Sequence, residues 1–277
     1  MKAFISVDME GMPHVVSRAH LSHDRPLWNE ARRIATSITI EAVRALQESG
    51  YEEVIIADSH GEMLNIDPFE LPKGSRLVRG YPRLRSMLAG AEEGSIALFL
   101  GYHAGFGTRL STFDHTYSSS SIQKIELNGV QCSEYLINAI ALSELKIPVA
   151  LVAGDASLEP EVKRFTPWSG FLPLKHSLGR YSSSSPSMQE ILGEVRKAVL
   201  LSAESAKKGE LRLISVEKPI LLRITFLSTG YADVAEYLPW AKRIDGLTVE
   251  FSLENALGAL SLIELLALAS AGVRSIT

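Results

Sequence analysis

Cysteine is almost absent from the 277-residue sequence, which contains a single thiol at Cys132. An internal disulfide is therefore impossible, and a metal site built mainly from thiolates is excluded. This scarcity favours a protein of the reducing cytoplasm. A strong excess of either charge is also missing, because 28 basic and 32 acidic residues leave a formal net charge of -4. We therefore expect neither nucleic acid nor an anionic membrane surface as a partner.

Long uninterrupted apolar segments are scarce as well. The apolar run at the N-terminus is short and is followed by Asp8 and Glu10, so we expect no secretory signal there. Residues 256–273 are long enough to span a membrane, but Glu264 lies at their centre, where a carboxylate is costly in a bilayer. We interpret this segment as a helix that is buried in a core or in a subunit interface.

Short apolar runs alternate with helical segments along most of the chain. The predicted strands are 2–7, 53–57, 76–79, 95–101, 149–153 and 172–175, and the predicted helices are 26–49, 82–91, 133–145 and 186–208. Ser185 and Pro186 are predicted as the cap and first residue of the last helix, and Asn128-Gly129 as a hairpin turn. This alternation predicts an α/β fold with a mostly parallel central sheet and helices on both faces.

The composition changes after Gly209 and contains few chemically active side chains beyond that point. The remaining segment offers strands at 219–226 and 248–251, a helix at 232–238, and the apolar segment described above. We predict a larger α/β domain over residues 1–209 and a smaller C-terminal α+β domain over residues 210–277. The smaller domain would serve oligomerisation.

Polar side chains follow three of the predicted strands at the points where the strands end. Asp8 and Glu10 come after the first run and, being two residues apart, point to one side of an extended chain. His60 follows the second run and His103 the fourth. Because parallel strands deliver their following loops to one edge of the sheet, we expect these side chains to meet there. They indicate a divalent metal site, although a capped turn at Asp8 and a solvated Glu10 would also explain the first pair.

Three further positions have both a structural and a functional interpretation. Asp114 and His115 lie in a long polar loop, where they form either a capped turn or a general acid–base group. Glu134 opens a predicted helix, where the helix dipole favours an acidic residue and where a metal ligand would also fit. Asp155 follows another strand and either caps the next turn or supports the metal site.

Several of these segments occur together, and in the same order, in a known family. They are SVDMEG at 6–11, DSH at 58–60, LGYH at 100–103, DHT at 114–116, NG at 128–129 followed by Glu134, and VAGD at 152–155. The chain resembles the DppA-type D-aminopeptidases, the M55 metallopeptidases. The first segment is the most specific one, and the resemblance covers most of the chain.

The resemblance implies a cytoplasmic zinc aminopeptidase that hydrolyses short peptides with a D-amino acid at the amino end. It implies two Zn²⁺ ions per subunit in the larger domain, with ligands divided as follows: Asp8 bridging both ions, Glu10 and His60 at one, and His103 and Glu134 at the other. His115 would be the catalytic histidine. The family is also known for a ring-shaped homodecamer, in which the apolar C-terminal segment would find a surface to pack against.

Several points stay open at the level of the sequence. The ligand types suit Zn²⁺ and also accommodate Mn²⁺ or Co²⁺. Lys175, Arg180 and Asp155 are candidates for binding the substrate, although basic side chains are more often solvated. A two-metal phosphoesterase or another metal-dependent amidohydrolase would use similar ligands. A non-enzymatic, ring-forming metal-binding protein would retain the same fold.

Overall fold

The computed structural model describes residues 1–276. Its strands are β1 (Lys2–Val7), β2 (Glu53–Asp58), β3 (Ser75–Val78), β4 (Ser95–Tyr102), β5 (Ile122–Leu127), β6 (Val130–Gln131), β7 (Val149–Asp155), β8 (Gly170–Gly179), β9 (Ser182–Ser184), β10 (Ile220–Phe226), β11 (Lys242–Arg243) and β12 (Thr248–Leu253). Its α-helices are α1 (Trp28–Glu48), α2 (Glu134–Glu144), α3 (Glu159–Phe165), α4 (Met188–Lys207), α5 (Thr229–Ala235) and α6 (Ala256–Ile276).

The central sheet contains seven strands in the order β3-β2-β1-β4-β7-β8-β9. All neighbouring strands are parallel except β8 and β9. Strand β4 is buried along its whole length, as expected for a strand covered on both faces. Helices α1 and α4 pack against one face of the sheet, and α2 packs against the other. The predicted α/β fold with a mostly parallel sheet is therefore confirmed.

A second, antiparallel sheet has the order β11-β12-β10-β5-β6 and shares a hydrophobic core with α2 and α6. Its hairpin turns at Asn128 and Gly129, whose φ angles of 49° and 79° suit the two-residue turn predicted from this dipeptide. Two strands of this sheet precede residue 209, so the C-terminal segment does not build the sheet alone. The division into domains 1–209 and 210–277 stays a prediction.

The helix predicted at 82–91 is wrong, because this segment is a loop with a short 3-10 turn at Ser86–Leu88. Arg85 and Ser86 have φ angles of 63° and 44°, which a right-handed helix excludes. The guanidinium of Arg83 holds the loop instead, donating to Asp58 O at 2.6 Å and to Ser86 O at 2.9 Å. A side chain thus replaces the backbone hydrogen bonds that a helix would form.

Helix α4 begins later than the sequence predicted, because Ser187 rather than Ser185 is its N-cap. Ser187 Oγ accepts a hydrogen bond from Glu190 N at 3.3 Å, and the Glu190 carboxylate accepts one from Ser187 N at 3.0 Å. This reciprocal capping box needs an acidic residue three positions after the cap, which Ser187 has and Ser185 lacks. Pro186 therefore precedes the helix.

Helix α6 is long and apolar enough to cross a membrane when judged by length and composition alone, with a mean hydropathy of 1.9 over its most apolar window. In the fold it packs against α2 and α5, with Leu260 and Ile263 fully buried. Leu265 and Leu268 on its other side are 50% and 37% exposed. The helix is therefore a core helix with one apolar side open.

Candidate metal centre

The carboxylates and imidazoles expected to form a metal site meet at the carboxyl edge of the central sheet. Strands β2, β1 and β4 are neighbours at this edge. Helix α2 and the loop of residues 104–121 contribute further side chains there. Six buried residues face one another there: Asp8 and Glu10 after β1, His60 after β2, His103 after β4, His115 in the loop, and Glu134 in the first turn of α2.

Two glycines allow the ends of β1 and β4 to touch. A Cβ atom at Gly11 would lie 1.9 Å from Tyr102 O, and one at Gly101 would lie 2.1 Å from Asp8 O. Gly11 N also donates a hydrogen bond to Gly101 O at 2.7 Å, and Gly101 has a φ angle of 74°. A larger residue at either position would push apart the two segments that carry Asp8 and His103.

The ligand atoms form three overlapping groups, in each of which they lie within 4.8 Å of one another. These groups are Asp8–Glu10–His60, Asp8–His103–Glu134 and Glu10–His103–His115. The two carboxylate oxygens of Asp8 face different partners, because Oδ1 lies 3.4 Å from His60 Nδ1 and Oδ2 lies 3.5 Å from His103 Nε2. A carboxylate placed in this way can bridge two cations.

Backbone carbonyls fix all three imidazole rings from the side that faces away from the cluster. The contacts are His60 Nε2 to Leu21 O at 2.8 Å, His103 Nδ1 to Ala104 O at 3.0 Å, and His115 Nδ1 to Phe113 O at 2.7 Å. A carbonyl oxygen only accepts, so each of these nitrogens carries a proton. In a neutral ring, the other nitrogen then directs its lone pair toward the carboxylates, as metal-binding histidines do.

Two of the inward-facing atoms lack hydrogen-bond partners. Asp8 Oδ2 and His103 Nε2 are buried and have no such partner among the described residues. Burial, and then the charge of Glu10, raises the pKa of Asp8 well above its ordinary value. Burial also lowers the pKa of His103, which favours the neutral ring. Unpaired lone pairs of this kind are costly unless a cation lies between them, and oxygen and imidazole donors fit Zn²⁺.

His60 and Glu10 form the closest pair in the cluster, with His60 Nδ1 only 2.7 Å from Glu10 Oε2. Although burial opposes it, the charge of Glu10 raises the pKa of His60 well above its ordinary value. Two lone pairs do not approach this closely, so a proton or a cation must lie near this contact. A metal ion at this position would compete with that proton.

A cavity of about 640 Å³ lies over the cluster and reaches from the loop of residues 104–121 to helix α6. Besides the metal-type ligands, its wall includes Arg18, Arg180 and Tyr181, as well as Tyr81 and Glu264. A volume in the range of about 300 to 1,000 Å³ is usual for a small-molecule site. The cavity therefore has room for a short peptide.

Comparison with known proteins identifies the family. A family model described as Peptidase_M55, D-aminopeptidase, matches residues 1–265. The chain belongs to the M55 D-aminopeptidase family. A D-aminopeptidase of Bacillus subtilis (strain 168) is 26% identical over 265 residues, which cover 94% of each chain. The resemblance that the sequence motifs indicated is therefore confirmed, and the phosphoesterase alternative is not favoured.

A solved structure agrees with the fold of this M55 protein. The Zn-dependent D-aminopeptidase DppA from Bacillus subtilis, described as a self-compartmentalizing protease, superposes with a TM-score of 0.91 at 24% identity and covers 96% of both chains. At that identity, the likeness concerns the architecture. The two-sheet arrangement is thus shared with a protein of known structure.

Tyr117 and Asn138 orient Glu134 in this M55 protein, although neither was singled out in the sequence. Tyr117 N donates to Glu134 Oε1 at 2.6 Å, and Tyr117 Oη donates to Asn138 Oδ1 at 2.7 Å. Asn138 Nδ2 in turn donates to Tyr102 Oη at 3.2 Å, which ties the group to β4. Glu134 Oε2 is left facing His103 Nε2 at 3.8 Å. A polar residue inside the apolar α2 was the signal that could have revealed Asn138.

Lys175 is held beneath the cluster rather than in the cavity wall. Its side chain is fully buried, and Nζ donates to Glu10 O at 2.5 Å and to Val15 O at 2.8 Å. Burial lowers the pKa of Lys175 to about 8. The lysine thus fixes the turn that carries Glu10, a structural task that the sequence did not indicate.

Arg180 and Asp155 also have protein partners. The guanidinium of Arg180 lines the cavity and forms an ion pair with Asp114, whose other oxygen accepts from Gly107 N at 2.7 Å. Asp155 is fully buried and accepts from Thr112 Oγ1 at 2.9 Å. Of the three predicted substrate-binding residues, Arg180 is therefore the one that the structure places in the cavity wall.

Proposed function

We propose that this M55 protein is a zinc-dependent aminopeptidase that removes an N-terminal D-amino acid from short peptides. The observation that carries the proposal is the meeting of three carboxylates and three imidazoles around two buried atoms, Asp8 Oδ2 and His103 Nε2, that have no hydrogen-bond partner among the described residues. The name of the Bacillus subtilis relative and the zinc dependence of DppA support the substrate and the metal. Two Zn²⁺ ions would be held by Asp8 between them, with Glu10 and His60 on one side and His103 and Glu134 on the other.

The residues around the metal centre have distinct tasks in this proposal. When bound, two zinc ions supply an activated water and polarise the scissile carbonyl. Hydrolysis adds water across the peptide C–N bond, so a proton that the attacking water gives up must reach the leaving nitrogen, and His115 Nε2 can accept it and deliver it there. Phe113 O holds the opposite ring nitrogen at 2.7 Å, and Glu134 Oε1 lies 3.5 Å from Nε2. Arg180 would bind the substrate carboxylate.

The assembly state belongs to the same proposal. The term self-compartmentalizing in the description of DppA supports a homo-oligomer, and we extend it to the ring-shaped decamer expected from the family. The open apolar side of α6, with Leu265 and Leu268, is a surface that such an assembly could cover. The cytoplasmic location expected from the single cysteine stays a prediction.

Metal analysis and matched substrates test the proposed function. We expect two zinc ions per purified chain, hydrolysis of D-Ala-Gly but not of L-Ala-Gly, loss of activity with a chelator and its return with zinc. p-Nitrophenyl phosphate serves as the control for the phosphoesterase reaction and should stay intact. Turnover of the phosphate ester, or a zinc-loaded protein that cleaves neither dipeptide, would contradict the proposal.

A further inference from the structure

Glu264 is a carboxylate in the middle of the apolar helix α6, and it belongs neither to the proposed metal ligands nor to the residues that would transfer a proton. Its neighbours in the helix are the buried Ile263 and the half-exposed Leu265. Glu264 Oε1 is shielded from solvent and has no hydrogen-bond partner among residues 1–276. Because an unpaired buried carboxylate oxygen is costly, a positive group in the cavity that Glu264 lines would stabilise this carboxylate.

The surroundings of Glu264 leave it able to accept a positive group. Burial, then the charge of Glu264 and a hydrogen bond between the two side chains, raises the pKa of Tyr81, so its hydroxyl stays protonated and acts as a donor to Glu264. Arg83 is near enough for the same charge to oppose the lowering of its pKa by burial. The Arg83 guanidinium, however, donates to Asp58 O at 2.6 Å and to Ser86 O at 2.9 Å, which holds it in the loop. Glu264 thus lines the cavity with a carboxylate that forms no ion pair with a described basic side chain.

In the cavity, the carboxylates and imidazoles of the candidate metal centre lie between a negative side chain, Glu264, and two positive ones, Arg18 and Arg180. Strand β3 lies at one edge of the sheet and β8 and β9 lie at the other, with β2, β1 and β4 between them. Tyr81, beside Glu264, follows β3, whereas Arg180 follows β8. Arg180, and after it Arg18, lowers the pKa of Tyr181, so both guanidinium groups lie at the β8 side. The order along the edge is therefore carboxylate, metal-type ligands, guanidinium groups.

We propose that Glu264 binds the α-ammonium group of the peptide substrate. The inference rests on the proposed aminopeptidase function and adds the residue that selects the amino end. A short peptide carries its ammonium group, its first peptide carbonyl and its carboxylate in the order in which the cavity presents Glu264, the metal-type ligands and Arg180. A peptide with an acetylated amino end would leave the Glu264 oxygen unpaired, so the site rejects it.

The test compares two ligands that are not hydrolysed and differ in one group. D-Alaninol carries an ammonium group where (R)-propane-1,2-diol carries a hydroxyl. Calorimetric titration of the zinc-loaded wild-type protein should show that D-alaninol binds about tenfold or more tightly than the diol. This ratio corresponds to the free energy of one hydrogen bond to a charged group. Glu264→Gln should remove this preference. The control Glu254→Gln makes the same change at an exposed site that does not line the cavity and should retain it.

Kinetics provide a second readout. For D-Ala-Gly, Glu264→Gln should raise KM by about tenfold or more, with a smaller change in kcat, because the lost contact is made in the bound substrate as well as in the transition state. If the variant has a lowered Tm, Glu264→Asp, which keeps the charge but withdraws it by one methylene, should show the same losses.

Two outcomes would overturn the inference. One is a Glu264→Gln protein that still prefers D-alaninol over the diol as strongly as the wild type does. The other is an unchanged KM for D-Ala-Gly, which would mean that the amine is held elsewhere. The calorimetric comparison requires no hydrolysis, so it tests Glu264 even if the wild-type protein cleaves neither dipeptide and the proposed function fails.

Discussion

Asp8 directs its two oxygens to different imidazoles, His60 at 3.4 Å and His103 at 3.5 Å. If it bridges two metals, Asp8→Ala removes a ligand from both at once. We expect both zinc ions to be lost and the affinity for zinc to fall by more than about 100-fold. Removing a residue that only supports a metal ligand lowers metal affinity by up to about 100-fold, and here the ligand itself is removed. Zinc content after gel filtration and hydrolysis of D-Ala-Gly measure the effect. A variant with two zinc ions and full activity would rule out the bridging role.

Tyr117 contacts the proposed metal ligand Glu134 by its backbone N–H, while its hydroxyl is held by Asn138. Tyr117→Phe releases the hydroxyl, so we expect zinc affinity to fall by about 10- to 100-fold. The matched control is Tyr135→Phe, which removes a tyrosine hydroxyl that is bonded to Thr166 and to none of the proposed ligands. Both changes should cost about 1 kcal/mol of stability.

A zinc competition titration with a chelator distinguishes the two tyrosine variants. Only Tyr117→Phe should shift the titration, whereas both variants should unfold at slightly lower urea concentrations than the wild type. Equal zinc affinity in the two variants would show that the Tyr117 hydroxyl does not position Glu134.

At the scale of elements, the loop of residues 104–121 carries His115 over the sheet edge and is anchored by Asp155 at the end of β7. Asp155 accepts hydrogen bonds from Thr112 Oγ1 at 2.9 Å, from Ser157 N at 3.0 Å and from Ser177 Oγ. Its carboxylate therefore joins this loop to β8 and to the turn after β7. This anchor keeps His115 in place without touching the cavity.

Because of the hydrogen bonds to Asp155, the free energy of unfolding should depend on pH in the acid range. Although burial opposes it, hydrogen bonds from Ser177 and Ser157 lower the pKa of Asp155 below the ordinary 3.8. The unfolded chain then binds the proton more tightly, so this contribution is present above pH 3.8 and is lost as the pH falls through the folded pKa. Asp155→Asn should lower the free energy of unfolding by about 2 kcal/mol near neutral pH.

Urea denaturation of the wild type and of Asp155→Asn over a series of pH values measures this difference. The gap between the two proteins should be constant from neutral pH down to about pH 5 and should narrow below pH 3.8. A gap that stays the same in strong acid would mean that the charge of Asp155 does not contribute to the anchor.

At the scale of the whole molecule, we expect the apolar side of α6 with Leu265 and Leu268 to be exposed to solvent in a free chain and covered in an oligomer. We expect light scattering to give the mass of a decamer of the 30.3 kDa chain. Leu265→Lys and Leu268→Lys together place charge on the open side of α6 and should reduce that mass. Leu201→Lys makes the same change on α4, where Leu201 is 66% exposed, and should leave the assembly intact. A monomeric wild type would contradict the expected assembly.

The sequence by itself determined the class of the fold and the types of ligand. Apolar runs of strand length separated by helices require a parallel sheet, and a parallel sheet places the residues after its strands at one edge. Asp8, Glu10, His60 and His103 are grouped by this arrangement alone, because each of them lies within a few residues of a strand end. Residues 82–91 do not form the predicted helix, because the side chain of Arg83 replaces the hydrogen bonds of a helix.

Only the tertiary structure decided which distant residues complete the site. Glu264 reaches the cavity because α6 packs back across the chain, and Lys175 supports Glu10 from beneath because β8 lies in the same sheet. Such contacts depend on how whole helices and strands pack together. The periodicity of a sequence indicates only which face of a single helix or strand is buried, so it does not predict these contacts. The same packing decides burial, which sets the pKa values, and it leaves Asp8 Oδ2 and His103 Nε2 without hydrogen-bond partners among the described residues.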